Sequence, residues 1–398
     1  MLIFCSARRN GSISDAAAKM YLTQPAASQG IAKLERDLGV PLLVRGGKSI
    51  SPTNEGEIFG ARADRAVEFI KNGLRIALHQ SGLDTAKAGQ LNRNITAAQL
   101  RTLIAMGTHG SYTVAAKSLG LAQPTVHRTA KALEGACGFQ IFRTIVGGIE
   151  LTAPGRVLNQ SAKLARAELR QAREELTQYS GLGRRTFVLG SLPLARSRIV
   201  PDAILGILKN EKRLQVRVIE GRYAELLRGL REGDIDCLIG ALRNPAPADD
   251  VIEEDLFDDD LVVVASAGHP LANQSTVTIE DTLSYPWIAP PISTPAGQYL
   301  FETLDIENRS QTPVHVVASS FILLRELLLA DQFLTVISGL QVRKELDEGL
   351  LTALPIKLAG QTRNIGLTMR KKWQPTASQV QFLEALRIAS RKATKSAE

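Results

Sequence analysis

The chain has 398 residues, 44% of them hydrophobic, and a formal net charge of +8, which calls for about two to four domains rather than one core. Its apolar runs all fall short of the roughly 20 residues of a membrane helix, and the opening MLIFCSARRN has no basic region ahead of a long apolar stretch, so neither a membrane partner nor a secretory signal is expected. Cys5, Cys137 and Cys237 are too dispersed for a disulfide framework or a metal site and read as reduced thiols of a cytoplasmic protein.

Charge is unevenly placed. Residues 1–180 hold 23 Lys and Arg against 13 Asp and Glu, whereas the remainder holds 25 against 27. A basic first half beside a near-neutral second half points to a polyanion bound by the first half alone.

Residues 1–10 read as a clipped opening segment. The segment Gly11–Gly56 then aligns without a gap with Gly110–Gly155, giving 13 identities that include Gly11/Gly110, Glu35/Glu134, Thr53/Thr152 and Gly56/Gly155. A gap-free match of this kind marks a duplicated module. Aligned by the repeat, Met1 falls at Leu100, so the first copy lacks about a turn of the leading helix that the second copy has over 96–107 with Thr96 as its N-cap. Either the first module is degenerate or the true start codon lies upstream.

Each copy carries an alanine pair, Ala16–Ala17 or Ala115–Ala116, whose small side chains let another helix cross closely. A turn follows, with Tyr21 in the first copy and Gly120 in the second. The next helix begins at Gln-Pro, where proline costs no intrahelical bond; Thr23 can cap the first copy, but Ala122 cannot cap the second. Helical spacing places Val126, Ala130 and Leu133 inward, leaving Gln123, His127, Arg128 and Lys131 outside; in the first copy Ala27, Ile31 and Leu34 face inward, leaving Gln24, Ser28, Gln29 and Ala32 outside. A polar outward face behind an Ala-pair helix, followed by a Gly-containing wing (Gly147–Gly148, or Gly46–Gly47 with Lys48), suits a major groove. The second copy has more outward cations, and Gly30 weakens the first copy's helix by about 1 kcal/mol relative to alanine, so the second is expected to bind DNA more strongly.

Long amphipathic helices follow each module. One runs over 57–78, with Phe59, Ala63, Ala66, Ile70, Leu74 and Ala77 on one seam; the other runs over 157–179, with Leu158, Ala165, Leu169, Ala172 and Leu176. The comparable seams predict that these helices pair antiparallel within one chain. Residues 79–94 read as a connector. From 186 onward short strands alternate with helices: strands at 187–191, 215–220, 237–240, 261–265, 287–289, 314–318, 334–337 and 365–370, and a final helix at 377–390. That alternation predicts an open, mostly parallel sheet in two α/β lobes with a cleft between them.

Taken together, AAKSLGLAQPTVHRTAKALE, the wing with ELTAPG, the linker helix and the segments EGRYAELLRGLREGDIDCLIGAL and FVLGSLPLARSRIVP resemble the LysR-type transcriptional regulators from about Thr96 to Ser390, and the first 80 residues resemble a second copy of that family's DNA-binding module. The resemblance implies an α/β multidomain chain: two tandem winged helix-turn-helix modules with long linker helices, then a two-lobed effector domain like a periplasmic binding protein. The expected divisions are 1–60 and 95–156 for the modules, 61–94 and 157–182 for the linkers, and 183–398 for the effector domain, with lobe I about 183–265 and 363–398 and lobe II about 266–362. Implied partners are double-stranded promoter DNA, a small-molecule effector such as a sugar or organic acid, further copies in a homodimer or homotetramer, and RNA polymerase. No cofactor is implied.

Carried over by position, the DNA-contacting residues are Gln123, Pro124, Thr125, His127, Arg128 and Lys131, and in the first copy Gln24, Pro25, Ala26, Ser28, Gln29, Arg45 and Lys48. The family usually has Ser or Thr where His127 stands, and its wing arginine matches Arg45 but is replaced by Thr144 in the second copy, beside Arg143. Strand ends that meet helix N-termini point to effector contacts at Ser191, Leu192, Gly221, Arg222, Ser293, Thr294, Ser319 and Ser320. The alternative is an effector-independent repressor or architectural protein whose C-terminal half only oligomerises. A transport-type solute-binding protein would leave the basic repeat without a task, and the chain has no nucleophile elbow, P-loop, HExxH pair or CxxC that would suggest an enzyme.

Overall fold

A computed structural model describes residues 1–46, 49–180, 183, 185–309 and 314–395, with the side chains of 45, 178–180 and 395 outside that description. The chain forms two compact units, Met1–Arg185 with Glu232–Asp234, and Thr186–Arg231 with Ile235–Glu398.

In the first unit, helices α1 (Leu2–Asn10), α2 (Ile13–Lys19) and α3 (Gln24–Leu38) and the hairpin β1 (Leu43–Gly46) and β2 (Ser49–Pro52) lead into α4 (Asn54–Gln80). After α5 (Ala88–Asn94) the order recurs: α6 (Ala97–His109), α7 (Tyr112–Leu119), α8 (Gln123–Cys137), the hairpin β3 (Phe142–Ile145) and β4 (Gly148–Leu151), then α9 (Ala153–Ser180). The identities of the repeat are its scaffold. Glu35 Oε1 accepts the N–H groups of Leu42 and Leu43 at 2.8 and 3.1 Å, and Glu134 Oε1 those of Ile141 and Phe142 at 2.9 and 3.0 Å. Each carboxylate thereby ties a helix to the start of its hairpin. Thr53 and Thr152 donate to the carbonyls of Pro41 and Gln140 and cap the next helix at Gly56 and Gly155. A Cβ on either glycine would collide with the carbonyl of Leu42 or Ile141, which explains why both copies keep glycine there.

Local signals set the helix ends. Thr96 and Gln99 form a capping box on α6. Thr23 caps α3 through the Ala26 N–H, while α8 has no side-chain cap. The turn after α2 takes the left-handed conformation at Tyr21 (φ 54°), where the second copy has Gly120 (φ 65°). Ala27, Ile31, Val126, Ala130 and Leu133 are buried as expected, but Leu34 and Ala32 are both half-buried. The expected connector is instead folded. Thr85–Lys87 form a 3-10 turn and 88–94 form α5, because Ala88 and Ile95 are buried and Asn92 donates to the Val67 carbonyl. Seven residues are too few to show helical periodicity in the sequence.

The long helices α4 and α9 pair antiparallel. Phe59 and Ala63 near the start of α4 share a core with α1–α3 and with Ala172 and Leu176 near the end of α9. Ile70, Leu74 and Ala77 near the end of α4 share another with α6–α8 and with Leu158, Ala162 and Ala165 of α9. Each three-helix module therefore packs on the start of its own long helix and the end of the other. The packing is isologous in the sense of a two-fold dimer: Gly73 lies against Ser161, and Arg62 against Gln171. The repeat relates Ser161 to Arg62 and Gly73 to Ala172, the neighbour of Gln171.

In the second unit, β5 (Arg185–Ser191), α10 (Pro193–Arg196), α11 (Ile199–Leu208), β6 (Leu214–Ile219), α12 (Tyr223–Arg231), β7 (Cys237–Ala241) and β8 (Val251–Ser266) precede α13 (Ile279–Thr282), β9 (Trp287–Ala289), α14 (Pro295–Gln298), β10 (Val314–Val317), α15 (Phe321–Ala330), β11 (Thr335–Ser338), α16 (Arg343–Asp347), β12 (Leu351–Ala353), β13 (Thr362–Arg370) and α17 (Ala377–Lys395). The result is a two-lobed α/β fold. One lobe packs Phe187, Ile239, Leu367 and Phe382 in its core, and the other packs Val263, Trp287, Leu300 and Val336.

Two expectations are corrected here. The strand predicted over 261–265 is only the end of the 16-residue β8. Along the acidic run EEDLFDDD, β13 pairs from Asp260 to Val251, and Arg363, Asn364 and Arg387 hold Asp259, Asp255 and Glu254. The sheet is also not mostly parallel among the pairings described. Parallel pairing joins β5 to β7 and β9 to β10, but β13 runs antiparallel to both β7 and β8, as do β11 and β12 to β8. The cause is connectivity: β8 carries the chain from one lobe into the other and β13 carries it back, so the two lie side by side in opposite directions.

Candidate nucleic-acid interface and effector lobes

The outward face of α8 carries the expected residues. Gln123, Pro124, Thr125, His127, Arg128 and Lys131 are all exposed, over a seam in which Val126, Ala130 and Leu133 are fully buried. They are not equally available. Lys131 donates to Glu134 at 2.8 Å, which holds its ammonium above the usual lysine range. Glu134 would be raised by burial, but its bonds to Lys131, Phe142 and Ile141 outweigh that and hold it low. The His127 ring packs edge-on against Tyr112 with centroids 5.0 Å apart. Arg128 makes no bond to any described residue, so its guanidinium keeps all its donors.

In α3, Gln24, Pro25, Ala26 and Gln29 are exposed and Ser28 is half-buried. Gln24 Nε2 donates to Ser28 Oγ at 3.2 Å. The first turns of this face carry no cation before Lys33. Lys48 and the Arg45 side chain lie outside the described residues. In the second hairpin Arg143, beside Thr144, is tied to Glu150 at 2.7 Å.

The expected effector residues occupy four strand-to-helix turns, two in each lobe: Ser191 and Leu192 between β5 and α10, Gly221 and Arg222 between β6 and α12, Ser293 and Thr294 between β9 and α14, and Ser319 and Ser320 between β10 and α15. Two hydroxyls already cap helices: Thr294 accepts the Gly297 N–H at 3.1 Å, and Ser320 that of Leu323 at 3.4 Å. Ser191 is buried and donates to the Leu192 carbonyl, whereas Arg222, Ser293 and Ser319 are exposed. Sequence reading passed over the cations beside these turns. Arg196 on α10 pairs with Glu220, and burial lowers its pKa; the Arg243 guanidinium lies 4.5 Å from the Tyr223 ring. The signal for Arg196 was its place five residues after Ser191 in a helix-starting turn.

Among the described residues, no group of three or more His, Cys, Asp or Glu is arranged to hold a metal, and no helix is long and apolar enough to cross a membrane. Two family models match. The bacterial regulatory helix-turn-helix protein of the lysR family covers residues 1–57 and 97–156, and the LysR substrate binding domain covers 180–391. The HTH-type transcriptional regulator GalR of Pseudomonas putida is 30% identical over 377 residues, 95% of this chain and 93% of its own length. The HTH-type transcriptional regulator PcaQ of Agrobacterium fabrum is 26% identical over 300 residues, 75% of this chain and 96% of its own. A full-length OxyR point variant from Pseudomonas aeruginosa shares the fold at 19% identity, over 75% of this chain and 95% of that one, with a TM-score of 0.53. The chain therefore belongs to the LysR family of DNA-binding transcriptional regulators, with an effector-binding domain in its C-terminal half.

Proposed function

We propose that one copy of this regulator grips promoter DNA with two tandem winged helix-turn-helix modules, α1–β2 and α6–β4, and that a small molecule bound at the strand-end turns of the C-terminal lobes controls that grip. The observation that carries the reading is the antiparallel α4/α9 pair, on which both modules pack through equivalent seams. A further support is the scaffold: the hinge carboxylate and the capping threonine are in place in both modules. The effector is an anion or a polyol, such as an organic acid or a sugar, received by Ser191, Leu192, Gly221, Arg222, Ser293, Thr294, Ser319 and Ser320 with Arg196 close by. The regulator works as a homodimer or homotetramer in the cytoplasm.

A hydroxyl-radical footprint of the full chain on the promoter beside its own gene tests the reading. Protection of two successive major grooves per bound chain is the expected result; one groove per chain would overturn it. Arg128→Ala is expected to weaken binding and to lower the salt slope by about one.

A further inference from the structure

The duplicated modules have kept their scaffold and changed their reading face. The shared residues Gly11/Gly110, Glu35/Glu134, Thr53/Thr152 and Gly56/Gly155 all hold the hairpin and the following helix in place. On the outward face of α3 and α8 only Gln24/Gln123 and Pro25/Pro124 agree. Ala26/Thr125, Ser28/His127, Gln29/Arg128 and Ala32/Lys131 all differ. Of these pairs, Gln29 and Arg128 are both exposed, occupy the same place in their helices, and bond to no described residue. Lys131 and His127 are turned aside by Glu134 and Tyr112.

The two side chains ask for different bases. A guanidinium donates two parallel hydrogen bonds, which match O6 and N7 of guanine; a carboxamide offers one donor and one acceptor, which match N7 and N6 of adenine. A homodimer reads a palindrome because its two modules are identical. Here the two modules sit in one chain and are unlike, so nothing requires the half-sites to match. We propose that each chain reads an unequal pair of half-sites, with guanine facing Arg128 in one and adenine facing Gln29 at the equivalent place in the other. This rests on the reading that both modules touch DNA.

The test selects binding sites for the full-length protein from a randomised duplex library and repeats the selection with Arg128→Gln and Gln29→Arg. The wild type should return two half-sites per chain that differ at the equivalent position. Arg128→Gln should change the guanine to adenine in its half and weaken the original site about 10-fold, the loss of one bidentate guanine contact. Gln29→Arg should change the adenine to guanine in its half, so that the two halves agree at that position. Both positions are exposed, so unchanged melting temperatures are expected, and each variant tests the assignment without the other. Two identical halves per chain from the wild type would overturn the proposal while leaving the two-module reading intact. A single half-site per chain would overturn both. Half-sites whose bases do not follow either substitution would overturn the assignment to Arg128 and Gln29.

Discussion

Glu134 joins two functions at one carboxylate: it receives the hairpin N–H groups of Ile141 and Phe142 and it holds Lys131. Its pKa in the folded chain lies below the ordinary 4.5. A group with a lowered folded pKa adds stability that is full above its unfolded value and is lost as pH falls through the folded one. Glu134→Gln keeps an acceptor but loses the charge. Urea melts should therefore show a flatter decline for this variant below pH 4.5 than for the wild type, and an identical decline would refute the assignment. The cysteines illustrate the opposite case. Burial pushes the thiols of Cys5 and Cys137 up to about 12, and that of Cys237 upward as well. Thiolate is the reactive form, so none of the three should alkylate with iodoacetamide at pH 8 in the native chain, while all three should do so in denaturant. Sequence spacing already indicated unpaired thiols; their burial depends on cores assembled from distant segments and was not legible.

At the scale of elements, the α4/α9 pair is apolar along its seam and carries a cluster of ion pairs where the start of α4 meets the end of α9. Arg62 bonds Glu168 at 3.1 Å, Gln171 at 3.0 Å and Glu175 at 2.6 Å, and all but Glu175 are buried. Arg65 also reaches Glu168, at 2.9 Å. The repeat equivalents at the other end are Ser161 for Arg62, Phe69 for Glu168 and Ile76 for Glu175. Two copies of α9 paired with each other would leave those carboxylates facing Ser161 with no cation, and two copies of α4 would set Arg62 against Phe69 and Ile76. The charged end thus favours α4 with α9 over either like pair. Arg62→Ala should cost about 3–5 kcal/mol in chemical unfolding, because it strands buried carboxylates. Replacing Arg62, Glu168 and Glu175 together by leucine should recover most of that stability and lose the discrimination, seen as dimers in sedimentation of the variant. The seams of both helices were legible from their apolar spacing. Arg62 was not, because a lone arginine on an amphipathic helix looks solvated until its partners, more than 100 residues away, are placed beside it. The acidic half of β8 was missed for the same reason: its neutralising groups come from β13 and α17.

At the scale of the molecule, the proposal is that one chain carries what a family dimer would assemble from two, and the antiparallel α4/α9 pair is what supports it. The fragment 1–180 is expected to be a stable monomer in sedimentation; a fragment that dimerises only through 157–178, with 57–78 unstructured, would sink that view. The sequence by itself determined the internal alignment, the amphipathic helices, the outward polar faces of α3 and α8 and the strand–helix alternation, since all of these are written in residues close together along the chain. Tertiary structure decided the rest: the direction of β13 and the length of β8, the folding of α5 against Val67 of α4 and the second core, and the strand-to-helix turns in which Thr294 and Ser320 commit their hydroxyls to helix caps. Those features depend on partners far apart in sequence, and local periodicity carries no information about which distant groups will meet. The unlike outward faces of α3 and α8 lie between the two cases: their residues were plain in the sequence, but only the antiparallel α4/α9 pairing joins the segments that carry them.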